Sequence, residues 1–320
     1  MSQKKIKRIS CILPCFNESL NIDFAYKSIV DVWTTESLDD SYECEMIFVD
    51  DGSDDDTAEK IIRLTEMDRR VKLIELSRNF GKEVALTAGI HYSDSDAIIL
   101  LDTDMQYPVE KIPEFLSAWE SGYDIVIGKR DAKKTNNLVE KYGSKLFYII
   151  MNAISEHEVI SGALDFRLMD KKVVTEFNKF TEHDRTTRVL IDWLGFKKHY
   201  LHYIEKERQF GIPGYTFSKR LKLAINSFIL HSFFPMEFIG YFGGMISLIS
   251  LTGGIFMFVI KFMLSDPYRW NLSGSTLLGA LNTFLTGLVL ISLGVTAHYI
   301  ATIQRETTNR PLYVIRNIFE

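Results

Sequence analysis

Short apolar runs alternate along this chain with segments in which apolar residues recur every three or four positions. The runs are Arg8–Leu13, Glu45–Val49, Val71–Leu76, Ala97–Leu101 and Asp124–Ile127. Runs that are apolar almost throughout predict strands buried on both faces, as in a parallel sheet. Between them, Leu20–Trp33, Thr57–Glu66 and Glu83–His91 carry helical spacing. Strands alternating with helices predict an α/β domain with a mostly parallel sheet wound on both sides. No internal repeat or low-complexity segment breaks this order.

Past residue 216 the pattern changes. No charged residue occurs from Phe238 to Ile260, nor from Leu272 to Ala297. Each stretch is long enough to cross roughly 30 Å of hydrocarbon as a helix, and a soluble protein rarely makes two helices apolar all round. The connection Lys261–Asn271 holds fewer basic residues than the flanks, which carry Lys219, Arg220 and Lys222 on one side and Arg305, Arg310 and Arg316 on the other. The positive-inside bias then places both chain ends in the cytoplasm. Before the first span, Phe217–Phe234 sets Lys219, Arg220 and Lys222 against Leu221, Ile225, Phe228, Ile229 and Phe233. That spacing suits a helix lying in the headgroup boundary; a plain linker helix is the alternative. The expected division is a cytoplasmic domain over 1–216, an interfacial helix over 217–234, two transmembrane helices over 235–304 and a cytoplasmic tail over 305–320. No signal peptide is expected, because the apolar run after the basic Met1–Arg8 is only a few residues long.

Composition excludes more than it assigns. With 320 residues there is room for one large domain or two smaller ones. A net charge of −5 gives no support to a nucleic-acid partner. Cys11, Cys15 and Cys44 lack metal-site spacing and read as core thiols in a reducing compartment. The histidines show no ligand pattern either.

Candidate chemistry sits where the strands end. Ala97–Leu101 stops in Asp102-Thr103-Asp104-Met105-Gln106. Two carboxylates one residue apart then stand at a strand's C-terminal end, where open α/β sheets bind ligands. Hard oxygens there suit Mg²⁺ or Mn²⁺, which bind through one or two carboxylates plus substrate phosphates. The other strands run into Pro14-Cys15-Phe16-Asn17-Glu18, Asp50-Asp51-Gly52-Ser53 and Ser77-Arg78-Asn79-Phe80-Gly81-Lys82. Each group alone is explained by turn chemistry and helix capping, with Asp56 or Thr57 as an N-cap. Parallel strands, however, bring all four to one crevice.

These residues resemble the inverting glycosyltransferases of the GT-A fold, family 2, through Leu13–Glu18, Val49–Thr57 and Asp102–Gln106. Ser77–Lys82, Gln106–Pro108, Gly128–Arg130, Asp165–Leu168, Arg208–Tyr215 and Arg310–Tyr313 are similar to the polyisoprenyl-phosphate branch of that family. One departure is Gly214 before Tyr215, where the branch commonly has lysine. The resemblance implies a Rossmann-like GT-A domain followed by the membrane segments, acting on a nucleotide sugar. Pro14, Phe16, Asn17, Glu18 and Asp51 would then receive the base and ribose, and Arg78, Asn79, Gly81 and Lys82 the diphosphate side. A metal would be held by Asp102 and Asp104, with Gln106 nearby, and would neutralise charge on the leaving diphosphate. Asp102, Asp104, Arg130 and Arg208 are the catalytic candidates, Arg208 forming a charge-assisted fork on the diphosphate. Arg130, Lys141, Ser144 and Arg167 are candidates for the acceptor phosphate. Asp165 would orient Arg167, contact the sugar, or form a buried ion pair. Surface ion pairing is the competing role for Arg78 and Arg208.

A lipid phosphate is mostly dianionic at neutral pH, its second pKa being about 6 by analogy with phosphorylated side chains. It needs positioning and charge shielding rather than a strong base. The expected reaction is inverting transfer of one sugar, glucose from UDP-glucose, to undecaprenyl phosphate at the inner face of the plasma membrane. A GDP-mannose enzyme using a polyprenyl phosphate and a non-catalytic membrane protein binding a nucleotide sugar are the alternatives. The cytoplasmic Gln-x-x-Arg-Trp segment of chain-extending synthases is not matched, since Arg269-Trp270 follows Asp266 and lies in the external connection. Gly243, Gly244, Gly253 and Gly254 would permit close helix packing and a homo-oligomer.

Overall fold

The computed structural model describes residues 6–131, 163–182, 185–204, 274–308 and 310–320, with Met245 and Thr252 as isolated positions. The chain divides into two compact units. One comprises Met1–Asn152, His157–Gly214 and Arg310–Glu320; the other comprises Ala153–Glu156 and Tyr215–Asn309.

The first unit opens with β1 (Lys7–Cys15), α1 (Ile22–Thr35), β2 (Tyr42–Asp50), α2 (Thr57–Met67), β3 (Val71–Leu76), α3 (Lys82–Tyr92) and β4 (Ala97–Leu100). It continues through α4 (Ile112–Glu120), β5 (Ile125–Arg130), β6 (Ala163–Asp170), α5 (Lys171–Phe177), α6 (Thr187–Trp193) and β7 (Lys198–Tyr203). All five expected strands and the three helices expected between them are present. The sheet has eight strands in the order β7-β5-β6-β4-β1-β2-β3-β8, where β8 is Ile315–Phe319. Pairing is parallel between β1 and β2, β1 and β4, and β2 and β3. β6 runs antiparallel between β4 and β5, and β8 runs antiparallel on β3. The α/β architecture expected of the GT-A fold is therefore present, with a mixed sheet. The charges of Asp165, Arg167 and Asp170 interrupt the apolar pattern of β6, which is why periodicity does not announce it.

Alternation along the strands sorts the core into two layers. Ile9, Cys11, Leu13, Met46, Phe48 and Ile99 pack on one face with α1, α2 and α4. Ile12, Ile47, Val49, Ile98 and Leu100 pack on the other with α3, α5 and α6. Both faces of the central strands are thus dry, as their apolar runs predict. The three cysteines are buried and free, as expected of core thiols.

In the second unit, α7 (Gly274–Thr307) is one helix of 34 residues that takes in most of the uncharged stretch Leu272–Ala297. Among the described residues, no helix is long and apolar enough to cross a membrane. Lys141, Ser144, Arg208, Gly214, Tyr215 and the helix expected over 217–234 lie outside the described residues, as does the first span apart from Met245 and Thr252. Within residues 305–320, read as a tail, Ile315–Phe319 forms the edge strand β8.

Candidate active site

Strand direction determines what meets at the site. β1, β2, β3 and β4 point the same way, so their C-terminal ends share one edge. β6 reverses direction and β5 reverses again, which brings Arg130, at the end of β5, and Asp165, near the start of β6, to that same edge. The four strand-end groups converge as their sequence positions imply.

The first two loops brace each other. Asn17, at φ 56°, donates its N–H to Ser53 Oγ at 2.9 Å, and its side-chain Oδ1 accepts the Asp54 N–H at 2.9 Å. The Glu18 N–H donates to Thr57 Oγ1 at 3.0 Å, while the Glu18 carboxylate accepts from the Asn21 amide. Ser53 in turn hydrogen-bonds the buried Asp50. Phe16 is 40% exposed at the rim, and the Pro14 carbonyl accepts from Thr103 Oγ1 at 2.7 Å, tying the first loop to the fourth.

Asp51 links the second loop to the third. Its Oδ1 accepts the Phe80 N–H at 2.7 Å and its Oδ2 the Gly81 N–H at 2.8 Å. Desolvation raises its pKa, opposed by these two amides. The carboxylate read as a base acceptor is thus at least half committed to shaping the Arg78–Lys82 loop. Gly52, at φ +69°, allows the close approach: a Cβ there would sit 2.5 Å from the Arg78 carbonyl carbon. Arg78 is exposed, stacks over the Phe80 ring at 4.1 Å and donates to the Asn79 carbonyl at 3.2 Å.

Lys82, the first residue of α3, lies between two carboxylates, 2.6 Å from Asp102 Oδ1 and 2.9 Å from Asp165 Oδ2. Desolvation works against its ammonium, but Asp102 and then Asp165 outweigh it and raise the pKa. Asp102 is pushed up by desolvation, with Lys82 opposing; Asp165 is desolvated too, yet Lys82 holds it below the usual range. Asp104 is buried and its Oδ1 accepts the Gln106 N–H at 3.3 Å, after Met105 turns the chain at φ 52°. Tyr107 is buried beside Asp102, stacked on Phe166 at 5.3 Å. Sequence reasoning left the partner of Asp165 open, and no local signal links it to a lysine at the start of α3.

Arg167 requires a correction. Its side chain is 1% exposed, and both terminal nitrogens donate to Asp192 on α6, at 3.1 and 3.3 Å. A buried guanidinium whose fork is filled by the half-buried Asp192 carboxylate is not presented to an acceptor phosphate, so this residue leaves that set. Arg130 is exposed at the strand edge, in register with Tyr203.

The protein-family model "Glycosyl transferase family 2" matches residues 10–177. The uncharacterized glycosyltransferase YkcC of Bacillus subtilis strain 168 is 33% identical, covering 97% of this chain and 94% of that protein. The bactoprenol glucosyl transferase of Shigella phage SfX is 34% identical, covering 97% of this chain and 99% of its own length. Among solved structures, the mannosyltransferase PcManGT of Pyrobaculum calidifontis, in complex with GDP-Man and Mn2+, is 13% identical at a TM-score of 0.47, covering 94% of this chain and 87% of that one. With strand ends that gather acidic and basic side chains at one edge, and a family match spanning those strands, the chain belongs to glycosyl transferase family 2 and is a glycosyltransferase.

Proposed function

We propose that this enzyme transfers glucose from UDP-glucose to a polyprenyl phosphate, with inversion, at the cytoplasmic face of the plasma membrane. The observation that carries the reading is the near end-to-end similarity to the phage SfX protein, whose name specifies a bactoprenol acceptor and a glucosyl group. The donor lies across the first three strand ends, its base near Pro14, Phe16, Asn17, Glu18 and Asp51 and its diphosphate near Arg78, Asn79, Gly81 and Lys82. Asp102 and Asp104 are hard oxygen donors at that edge. Among the described residues no cluster of three or more His, Cys, Asp or Glu stands ready for a metal. This carboxylate pair, with Gln106 nearby, would hold Mg²⁺ or Mn²⁺ together with the donor diphosphate, the usual sharing for these ions. Such an ion supplies charge neutralisation on the departing nucleotide.

The chain's own residues do the positioning. Lys82 is placed to exchange a carboxylate for a phosphate oxygen as the donor enters. Asp165 keeps it at the sheet edge. Arg130 shields the acceptor phosphate, with Lys141 and Ser144 as further contributors, and Arg208 forks onto the donor diphosphate. Already anionic, that phosphate attacks the anomeric carbon without a general base. Membrane attachment is supported by the two uncharged stretches, by α7 as one unbroken helix, and by exposed Leu278, Leu281, Val289, Leu293, Ile300 and Ile303 along it. At 100° per residue these six side chains fall on one side of the helix.

The test is a panel of radiolabelled nucleotide sugars with purified polyprenyl phosphate, scoring organic-phase product with and without a chelator. UDP-glucose alone should label the lipid, and both chelation and Asp104→Ala should abolish labelling. Label from GDP-mannose, or turnover that survives chelation, refutes the assignment.

A further inference from the structure

The segment that follows α7 returns to the catalytic sheet and holds the entry of the Arg78–Lys82 loop. Both backbone polar groups of Ser77 are taken by it: the Ser77 N–H donates to the Val314 carbonyl at 2.8 Å, and the Ser77 carbonyl accepts from the Arg316 guanidinium at 2.8 Å. The other arm of that guanidinium reaches Glu75 at 2.8 Å, whose second oxygen accepts from Asn317 at 2.8 Å. The strand pairing shifts register between Glu75 and Leu76, so the strand bends where the loop begins. Upstream, the Tyr313 hydroxyl meets His91 Nδ1 of α3 at 3.1 Å, and its ring packs among the partly buried residues of that layer. Downstream, Lys72 and Tyr92 contact the Glu320 side chain.

The loop is therefore pinned at both ends by different parts of the chain. Asp51 fixes its exit through Phe80 and Gly81, and the C-terminal segment fixes its entry at Ser77. Arg78 and Asn79 lie between the pins. A plain edge strand would end its pairing at Leu76; here the strap continues past the strand onto the loop.

We propose that Tyr313–Arg316 is a positioning element for the donor loop, with Arg316 its chief contact, so that donor affinity depends on the chain emerging from α7. The inference rests on the donor role given above to the Arg78–Lys82 loop.

The test uses the full-length chain carrying Arg316→Ala or Arg316→Lys. Because Arg316 is half exposed, its loss should leave the fold intact, which thermal unfolding checks. Hydrogen exchange at the amides of residues 77–81 should accelerate in Arg316→Ala. The Kd for UDP-glucose should rise roughly fivefold to tenfold, the scale of one ordinary net hydrogen bond at a half-exposed site, with the acceptor KM unchanged. Arg316→Lys, able to reach only one partner at a time, should recover part of both. Wild-type exchange in the loop and an unchanged donor Kd in Arg316→Ala overturn the proposal. Donor and acceptor parameters falling together with the unfolding temperature overturn it as well, since they mark a merely structural edge. If the wild type itself binds no nucleotide sugar, the donor assignment fails, and the exchange measurement still judges the strap.

Discussion

Removing Asp192 is expected to harm the fold more than removing the arginine it pairs with. Arg167 is 1% exposed and Asp192 30%, so the two ends of this ion pair face different surroundings. In Asp192→Ala a guanidinium stays in the interior without the carboxylate that fills its fork. Breaking a buried pair from one side costs about 3–5 kcal/mol. The low end applies, because Arg167 also interacts with the Asp165 charge two residues away on the same strand. Arg167→Met keeps most of the stem volume and removes the charge that needed a partner. Asp192 then retains Lys198, 2.9 Å away, and access to water, so the cost is about 1 kcal/mol, the scale of a partly exposed pair. At roughly 2–4 °C per kcal/mol for a domain of this size, Asp192→Ala should lower the unfolding temperature by about 6–12 °C and Arg167→Met by only a few degrees. Thermal unfolding of the purified full-length variants, followed by acceptor KM for each that folds, gives the answer. Equal losses or a reversed order refute the argument from asymmetric burial. A tenfold rise in acceptor KM for Arg167→Met at unchanged stability would return Arg167 to the acceptor site.

Gly52→Ala should abolish nucleotide-sugar binding, because the added Cβ meets the Arg78 backbone at 2.5 Å and alanine resists φ +69° at a cost of about 1–2 kcal/mol before any clash; a wild-type donor Kd in calorimetry would count against the contact. At Asp68, desolvation opposes ionisation but the hydrogen bonds from Arg70 prevail, so the folded-state pKa lies below its ordinary value. The stability this contributes is complete above the ordinary aspartate pKa of about 3.9 and is lost as pH falls through the depressed value. Asp68→Asn should therefore lower stability at neutral pH and flatten the acid limb of a pH-dependent denaturation series, and an unchanged acid limb would show that the pair contributes nothing.

The central sheet is legible in the sequence because its strands are buried on both faces and so read as unbroken apolar runs. Ala97–Leu101 and Val71–Leu76 need no other signal. β6 and β7 are not legible for the opposite reason. β6 carries Asp165, Arg167 and Asp170, and β7, Lys198–Tyr203, is largely half-buried, with two histidines and a lysine. Their pairing is decided by neighbours distant in sequence, not by local pattern. β8 is short, follows a long apolar segment, and is fixed by Glu75 and Ser77 rather than by periodicity. At the site, the residues themselves are legible and their allegiances are not. The acidic pair and the Arg78–Lys82 motif stand out from strand-end position alone. That Lys82 is shared by Asp102 and Asp165 and that Arg167 belongs to Asp192 depend on the way β6 reverses into the sheet, and that Asp51 serves two amides depends on the parallel pairing of β2 with β3, which sets the loop after β3 beside it.

These allegiances change how the donor site should respond to perturbation. Thr103 ties the fourth loop to the first, Asn17 and Ser53 tie the first to the second, Asp51 ties the second to the third, and Lys82 closes the ring from the third back to the fourth. Residues in one hydrogen-bonded network show interaction energies of roughly 0.5–3 kcal/mol beyond additivity. A substitution at any one link therefore displaces groups it never touches, and the site behaves as a single element. Surface replacements such as Arg78→Ala stand at the margin of this ring, since the Arg78 side chain touches Asn79 and Phe80 and reaches a ring member only through its charge, felt at Asp51. On the proposed donor placement, its effect should come chiefly through charge and should nearly add to those of the ring. That contrast separates a residue that would offer the donor only charge from residues whose hydrogen bonds also build the surface on which it would lie.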